Sequence, residues 1–515
     1  MRHYSYLLLM LSLVILWGSS CRNDFEYQSS TGDLTFSKDT IYLDTVFSTI
    51  SSSTYTLKVY NKSSKDVSIP SIKLSKGNLS NYRLNVDGVP GKEFTKIPLF
   101  AKDSMYIFIE TTQNTGNGSD KEFLDTDAIL FDAGENLQKV QLVTLVKDAV
   151  FLYPKRLADG TKEKLIIGTN NEGEEIKVEG FTLLDHQLNF TNNKPYVIYG
   201  YAEVAEGQTL KIDAGARVFF HKNSGIIVSQ GASLKINGAL SEDAELLEKE
   251  VIFEGNRLEP AYENTPGQWG TIWLRPNSIE NKINYLTIKN ATIGILVEGN
   301  SILDSPTLEI KNTQIYNSSN TNLWAKSAYI HAENIVLANA GNISLYCNLG
   351  GKYTFIHATI ANYWKHGYRT GNALQIDNSK INSTSTTLAV DLSHANFTNC
   401  IIDGNNSIEM SISNNGINVF NFNFTNSLIK FIDSTNLFTE NPLYNFEDNN
   451  LYNAILLNNN SFFINPSKNN FRLGVDSDAI GKAEINTSFL VPLDISGIDR
   501  KESPDLGPYQ FIPNN

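Results

Sequence analysis

The side chains best suited to chemistry fall within seven consecutive residues, Tyr363-Trp364-Lys365-His366-Gly367-Tyr368-Arg369. An aromatic ring stacks on the CH face of a pyranose, and a cation pairs with a carboxylate or sulfate. Trp364, Lys365, His366, Tyr368 and Arg369 therefore form a candidate contact for an acidic glycan. The plainer alternative is a turn whose rings cover a strand edge and whose charges face water. His366 as a general base would need an orienting carboxylate, and none stands near it in sequence. Asp377, Asp391 and His394 follow and define a second candidate face. No zinc spacing, phosphate loop, nucleophile elbow, paired-Asp hydrolase motif or lyase signature occurs.

A repeat must position these groups. Leu286-Thr287-Ile288-Lys289-Asn290 recurs as Leu308-Glu309-Ile310-Lys311-Asn312, a shift of 22. The same frame continues through Asn334, His357, Asn378, Asn399 and Asn426, with an aliphatic three residues after each: Ile293, Ile315, Leu337, Ile360, Ile381, Ile402 and Ile429. Upstream, Gly207-Gln208-Thr209-Leu210-Lys211-Ile212 recurs as Gly231-Ala232-Ser233-Leu234-Lys235-Ile236, a shift of 24. Short β runs at this period predict a solenoid. Stacked coils bring equivalent residues about 4.8 Å apart, so the asparagines are expected to form an amide ladder and the aliphatics a core stack. His357 fits one rung and is expected to be structural. Cys347 and Cys400, about two coils or about 10 Å apart, exceed disulfide reach and are expected to be separate buried thiols.

The N-terminus carries Arg2 and His3, an apolar run from Tyr6 to Trp17, then Gly18-Ser19-Ser20-Cys21. The run is short for a membrane span of about 30 Å and reads as a signal peptide. From Leu34 to Val150, short strand-like runs alternate with turns, predicting an antiparallel sandwich. Asp120, Glu122, Asp125, Asp127 and Asp132 lack EF-hand spacing and are expected in loops and on a solvated strand face, with no metal. The net charge of −13 works against nucleic acid and anionic lipid surfaces.

These motifs carry resemblances. Small residues before Cys21 are similar to a bacterial lipobox, although Gly18 stands where such boxes usually have Leu, and Arg22-Asn23-Asp24-Phe25-Glu26 resembles the short acidic export signal of Bacteroidota surface lipoproteins. Asp127-Ala128-Ile129-Leu130-Phe131 with Val140-Gln141-Leu142-Val143 resembles their Ig-like domains. The repeat, Gly267-Gln268-Trp269-Gly270-Thr271-Ile272 and the tail Asp494-Ile495-Ser496-Gly497-Ile498-Asp499-Arg500 resemble right-handed parallel β-helix proteins of the pectate-lyase-like class.

The resemblance implies an all-β chain: a right-handed parallel β-helix solenoid preceded by a small antiparallel β-sandwich. The expected divisions are 1–20 signal peptide, 21–33 tether lipidated at Cys21, 34–150 Ig-like sandwich, 151–194 connector and N-terminal cap, 195–440 β-helix and 441–515 closing segment. It further implies a monomeric outer-membrane lipoprotein displayed at the cell surface, with membrane lipid at Cys21 and polysaccharide as partners and no nucleic acid. Binding of glycan without turnover ranks first, because Asn, Ser and Thr dominate the coils. A polysaccharide lyase or glycoside hydrolase is the alternative, and a structural spacer the third reading. No cofactor is expected, with calcium needed only by a lyase.

Overall fold

The computed structural model describes residues 27–113, 122–170, 172–299, 304–381 and 387–513. Cys21, the 1–20 segment and Arg22 to Glu26 lie outside the described residues, as does Asp120. The described chain is all-β, its single α-helix being Ile485–Leu490. It divides into two units, Met1–Asp148 and Ala149–Asn515, close to the expected boundary at 150.

In the first unit two sheets share one core. One sheet contains Thr40–Phe47, Val67–Leu74, Glu122–Phe131 and Gln138–Lys147; the other is built around Tyr55–Tyr60, Tyr82–Val86 and Ser104–Thr111. Alternation drives this arrangement. Along Gln138–Lys147, Val140, Leu142, Thr144 and Val146 point inward while the residues between them stay partly exposed. The pairing is not purely antiparallel as expected: Thr40–Phe47 lies parallel to Gln138–Lys147. Parallel neighbours need a long crossover, and the intervening chain supplies it. Asp127 and Asp132 also depart from expectation, because both are buried. Asp127 accepts the backbone N–H of Lys76 at 3.1 Å and of Ala128 at 2.8 Å, and Asp132 accepts the Ser30 hydroxyl.

In the second unit, strands pair in parallel with the equivalent strand one repeat later. Ile310 lies opposite Ala332, and Ala332 opposite Phe355. These pairings build an 18-stranded sheet, and a third strand in each repeat joins a separate 10-stranded sheet. Val150–Leu152 pairs in parallel with Tyr196–Ile198. An antiparallel hairpin, Lys164–Thr169 with Glu175–Thr182, borders the 10-stranded sheet and pairs on through Gly180 to Tyr201. Inside, Phe355, Phe397, Phe424 and Tyr452 stack with centroids 5.1, 4.8 and 5.6 Å apart. Each buried ring is worth roughly 1.5–3 kcal/mol.

The asparagine frame splits in two. Tyr285, Asn312, Asn334, His357, Asn399, Asn426 and Ala454 occupy one corner of successive repeats, all with φ between 44° and 59°. Asparagine recurs there because it tolerates the left-handed backbone better than other side chains bearing a Cβ. Asn290 belongs to a second corner with Asn317 and Asn339, since Lys289 pairs with Tyr316 and Tyr316 with Ala338. Ile293 accordingly begins a strand of the 10-stranded sheet, and the aliphatic stack runs Ile288, Ile315, Leu337, Ile360, Ile402, Ile429. Asn378 is no rung either. Asn399 stacks directly on His357, 3.1 Å from its Nε2, across an excursion that includes the hairpin Ser379–Ile381 with Thr387–Ala389. Asn378 bonds instead to Asn415 at 3.2 Å, and Ile381 is 71% exposed.

The amide ladder is short: Asn334 donates to Asn312 at 3.0 Å, and Asn312 to Asn284 at 2.9 Å. Elsewhere the column is satisfied by residues 482–508 of the closing segment, which run lengthwise beside it, so the tail motif does not lie across the end as expected. Lys482 O accepts from Asn426, Glu484 O from Asn399 and Leu493 O from Asn334, while the Ser488 hydroxyl lies 3.2 Å from His357 Nε2. The buried Arg500 guanidinium donates to Asn334 Oδ1 at 3.0 Å and Pro508 O at 3.2 Å. The strand edge at the end is met by the first turn of the same segment, where Tyr444 donates to Ile412 O at 3.0 Å and accepts its N–H at 2.7 Å. Phe431 and Phe438 pack against that tyrosine, and Phe446 packs against Phe431.

This placement makes His357 a source of pH dependence. Its burial, and secondarily the Arg500 charge, hold the imidazole well below its ordinary value of 6.5. Below that value the unfolded chain takes up a proton that the folded chain refuses, so stability falls as pH drops through about 6.5, by up to about 1.4 kcal/mol per pH unit. His357→Asn, which suits the same corner, should remove that slope. Urea unfolding of both proteins tests this. A stability difference that stays constant below about pH 6.5 would mean that native His357 protonates normally.

Candidate functional site

Past Gly351–Asn362 the chain leaves the sheet, makes the turn that carries the aromatic and cationic residues, and re-enters at Leu374–Asp377. An ion pair fixes this turn from beneath. Arg369 is only 7% exposed and Glu409 fully buried; NH1 lies 2.9 Å from Oε2 and NH2 2.6 Å from Oε1. The guanidinium also donates to Asn362 O and Gly371 O, and the carboxylate accepts the N–H of Ala373 at 2.8 Å and of Asn406 at 2.7 Å. Burial pushes the Glu409 carboxyl up, against the Arg369 bonds that pull it down. Arg369 is thus withdrawn from any ligand, correcting its place among the contact residues. Its partner lies forty residues on, where sequence spacing gives no sign of it.

The other four separate by exposure. Tyr368 is 90% exposed and His366 is also open to solvent. Desolvation, then the Lys365 charge, lower the His366 imidazole. Trp364 is half-buried and meets His366 edge-on with centroids 5.1 Å apart. Lys365 turns aside to donate to Ser467 O at 2.7 Å. Just before them, Tyr363 lines a cavity of about 450 Å³ with Asp403, Lys430, Ser461 and Phe462. Its phenol donates to Asp403 Oδ2 at 2.7 Å, Ser461 donates to the same oxygen, and Lys430 stands 3.7 Å from Oδ1.

Asp377, Asp391 and His394 do not share a face. Asp377 belongs to the 10-stranded sheet, where it accepts from Tyr346 at 2.8 Å, Asn348 at 2.8 Å and the Leu349 N–H at 2.9 Å. Asp391 accepts from Asn418 and the Val419 N–H. His394 lies on the 18-stranded sheet beside Lys352. Cys347 and Cys400 are free thiols in the interior. Burial raises both, Cys400 to about 12, which makes them poor nucleophiles.

No family model matches this chain, and no curated protein is similar to it. Among solved structures, PapD-like domain 7 of human CEP192 is 10% identical, covering 24% of this chain and 89% of that one, with a TM-score of 0.16. A family 123 glycoside hydrolase from Clostridium perfringens is 9% identical, covering 24% and 30%, at 0.16. The E. coli chaperone DraB is 11% identical, covering 24% and 58%, at 0.16. For the last two the chain spans less than two thirds of the matched structure, and scores this low carry no argument.

Proposed function

We propose that this chain is a surface-displayed outer-membrane lipoprotein, a monomer, whose second unit binds glycan without turnover at the turn bearing Trp364, His366 and Tyr368. In this reading the second unit is a right-handed parallel β-helix and the first an Ig-like β-sandwich. The in-register parallel pairing at a period near 22 supports the former, and the two alternating sheets over one core support the latter. Export and anchoring rest on the apolar run before Gly18-Ser19-Ser20-Cys21 and on Asp24 and Glu26 after it. Membrane lipid would be the partner at Cys21, and Cys21→Ser should move the protein from membranes to the soluble fraction; unchanged detergent partitioning would defeat the anchor.

One observation carries the binding reading: a ring and an imidazole stand open to solvent on a turn clamped from below by a buried ion pair, beside a cavity of about 450 Å³. Rigid aromatic presentation lowers the ordering entropy that binding must overcome. Binding is favoured over lyase or hydrolase chemistry because Asp403, the carboxylate nearest the cavity, has both oxygens engaged by Tyr363, Ser461, Lys430 and the Gly404 N–H. On a glycan array, Tyr368→Ala should weaken binding by about five- to tenfold with the melting curve unchanged, in line with loss of one aromatic contact. Release of unsaturated product, read by absorbance, would instead make the protein a lyase.

A further inference from the structure

We infer that the cavity beside the turn is a subsite for a single neutral pyranose; this rests on the glycan reading above. Its lining mixes exposed apolar side chains with more buried polar ones. Phe462 is 52% exposed at the mouth and held at φ 39°, with Ile432 and Pro466 completing an apolar lining. Bulky side chains rarely adopt that backbone, and such residues persist where surrounding structure fixes them. The Phe462 carbonyl is held by the Gly474 N–H at 2.7 Å. The buried and half-buried part of the lining is largely polar: Tyr363, Asp403, Lys430 and Ser461.

A pyranose has this same mixed character, one CH face and a girdle of hydroxyls that both donate and accept. Phe462 suits the face. For the girdle, Lys430 has one of its three N–H groups on Gly404 O and stands too far from Asp403, at 3.7 Å, for a second full bond, leaving donors for a ligand. The Asn459 amide at the exposed rim offers both a donor and an acceptor. A volume of about 450 Å³ sits within the range of about 300–1,000 Å³ usual for small-ligand sites.

Charge decides between neutral and acidic sugar. Lys430 is the single cation lining the cavity, and the Asp403 carboxylate beside it matches its charge. On the neighbouring turn, Arg369 is neutralised by Glu409, while Lys365 keeps its charge and points one N–H at Ser467 O. Arg369, one of the cations that made an acidic glycan attractive in sequence, is therefore already committed, on a chain of net charge −13. Within the cavity an anionic sugar would meet Asp403 with only Lys430 to offset it, whereas a neutral one meets no such repulsion.

The test is calorimetric titration of the full-length protein with defined trisaccharides: cellotriose, maltotriose and mannotriose as neutral probes, trigalacturonate as the acidic one. At least one neutral probe should bind, with affinity changing less than about twofold between low and high salt. Phe462→Ala and Asn459→Ala, both at the exposed rim, should each weaken it by about fivefold or more. Trigalacturonate as the only ligand, or neutral binding that both rim variants leave intact while Tyr368→Ala abolishes it, overturns the subsite and leaves the turn standing. Binding of none of the four probes overturns the subsite and the glycan reading together.

Discussion

Glu409→Ala should destabilise the second unit by about 3–5 kcal/mol, the loss expected when one member of a buried ion pair is removed and the other stays charged. Arg369 has little chance of reaching water, since its guanidinium also donates to Asn362 O and Gly371 O in the same enclosed turn. The N–H groups of Ala373 and Asn406 would lose their acceptor as well. Urea unfolding followed by tryptophan fluorescence reads this directly, because Trp364 sits on the affected turn. Glu409→Gln, which keeps the shape and part of the bonding, should fall between wild type and alanine. The double change Arg369→Met with Glu409→Leu should be far milder than Glu409→Ala alone, because no unpaired charge remains buried. A loss under about 1 kcal/mol for Glu409→Ala would show that water reaches Arg369 and that the turn is not clamped.

Asn334→Leu should come close in size. Three partners lose their bonds at once: Asn312 Oδ1, Leu493 O and the Arg500 guanidinium. Each buried group left unsatisfied is worth about 1–3 kcal/mol, and a leucine at φ 52° adds about 1–2 kcal/mol of backbone strain. Partial relaxation at the column edge should leave a net loss of about 3–5 kcal/mol. Asn334→Gly separates the contributions, since glycine keeps the backbone and loses only the side chain. Asn449→Leu, at an exposed turn in the same unit, should stay within about 0.5 kcal/mol. Equal tolerance at 334 and 449 would mean that the closing segment does not hold the column.

Much of this architecture is local and therefore legible in the chain. Alternation along Gln138–Lys147 and the recurrence from Leu286 to Leu308 report strands and a period because side-chain direction is set residue by residue. Asparagine marked the corners because a left-handed residue is a local steric demand. That same cause misled the frame. Each repeat has two such corners, as at Asn312 and Asn317 and again at Asn334 and Asn339, so a count begun at Asn290 starts on one corner and continues on the other. Asn378 then fell on the expected spacing by coincidence, inside an excursion whose length nothing local sets.

The residues with chemical potential divided along the same line. Sequence alone determined that Trp364, Lys365, His366, Tyr368 and Arg369 lie together on one turn, since they are neighbours in the chain. Tertiary structure alone decided which of them face a ligand. Arg369 was withdrawn by Glu409, Lys365 was drawn off by Ser467, and the cavity beside them is closed by Asp403, Lys430 and the segment from Asn458 to Pro466. The closing segment lies along the column through bonds that join residues 56 to 166 positions apart. A buried charge takes whichever opposite charge the fold brings within reach, and that distance is a property of packed strands which no spacing along the chain encodes.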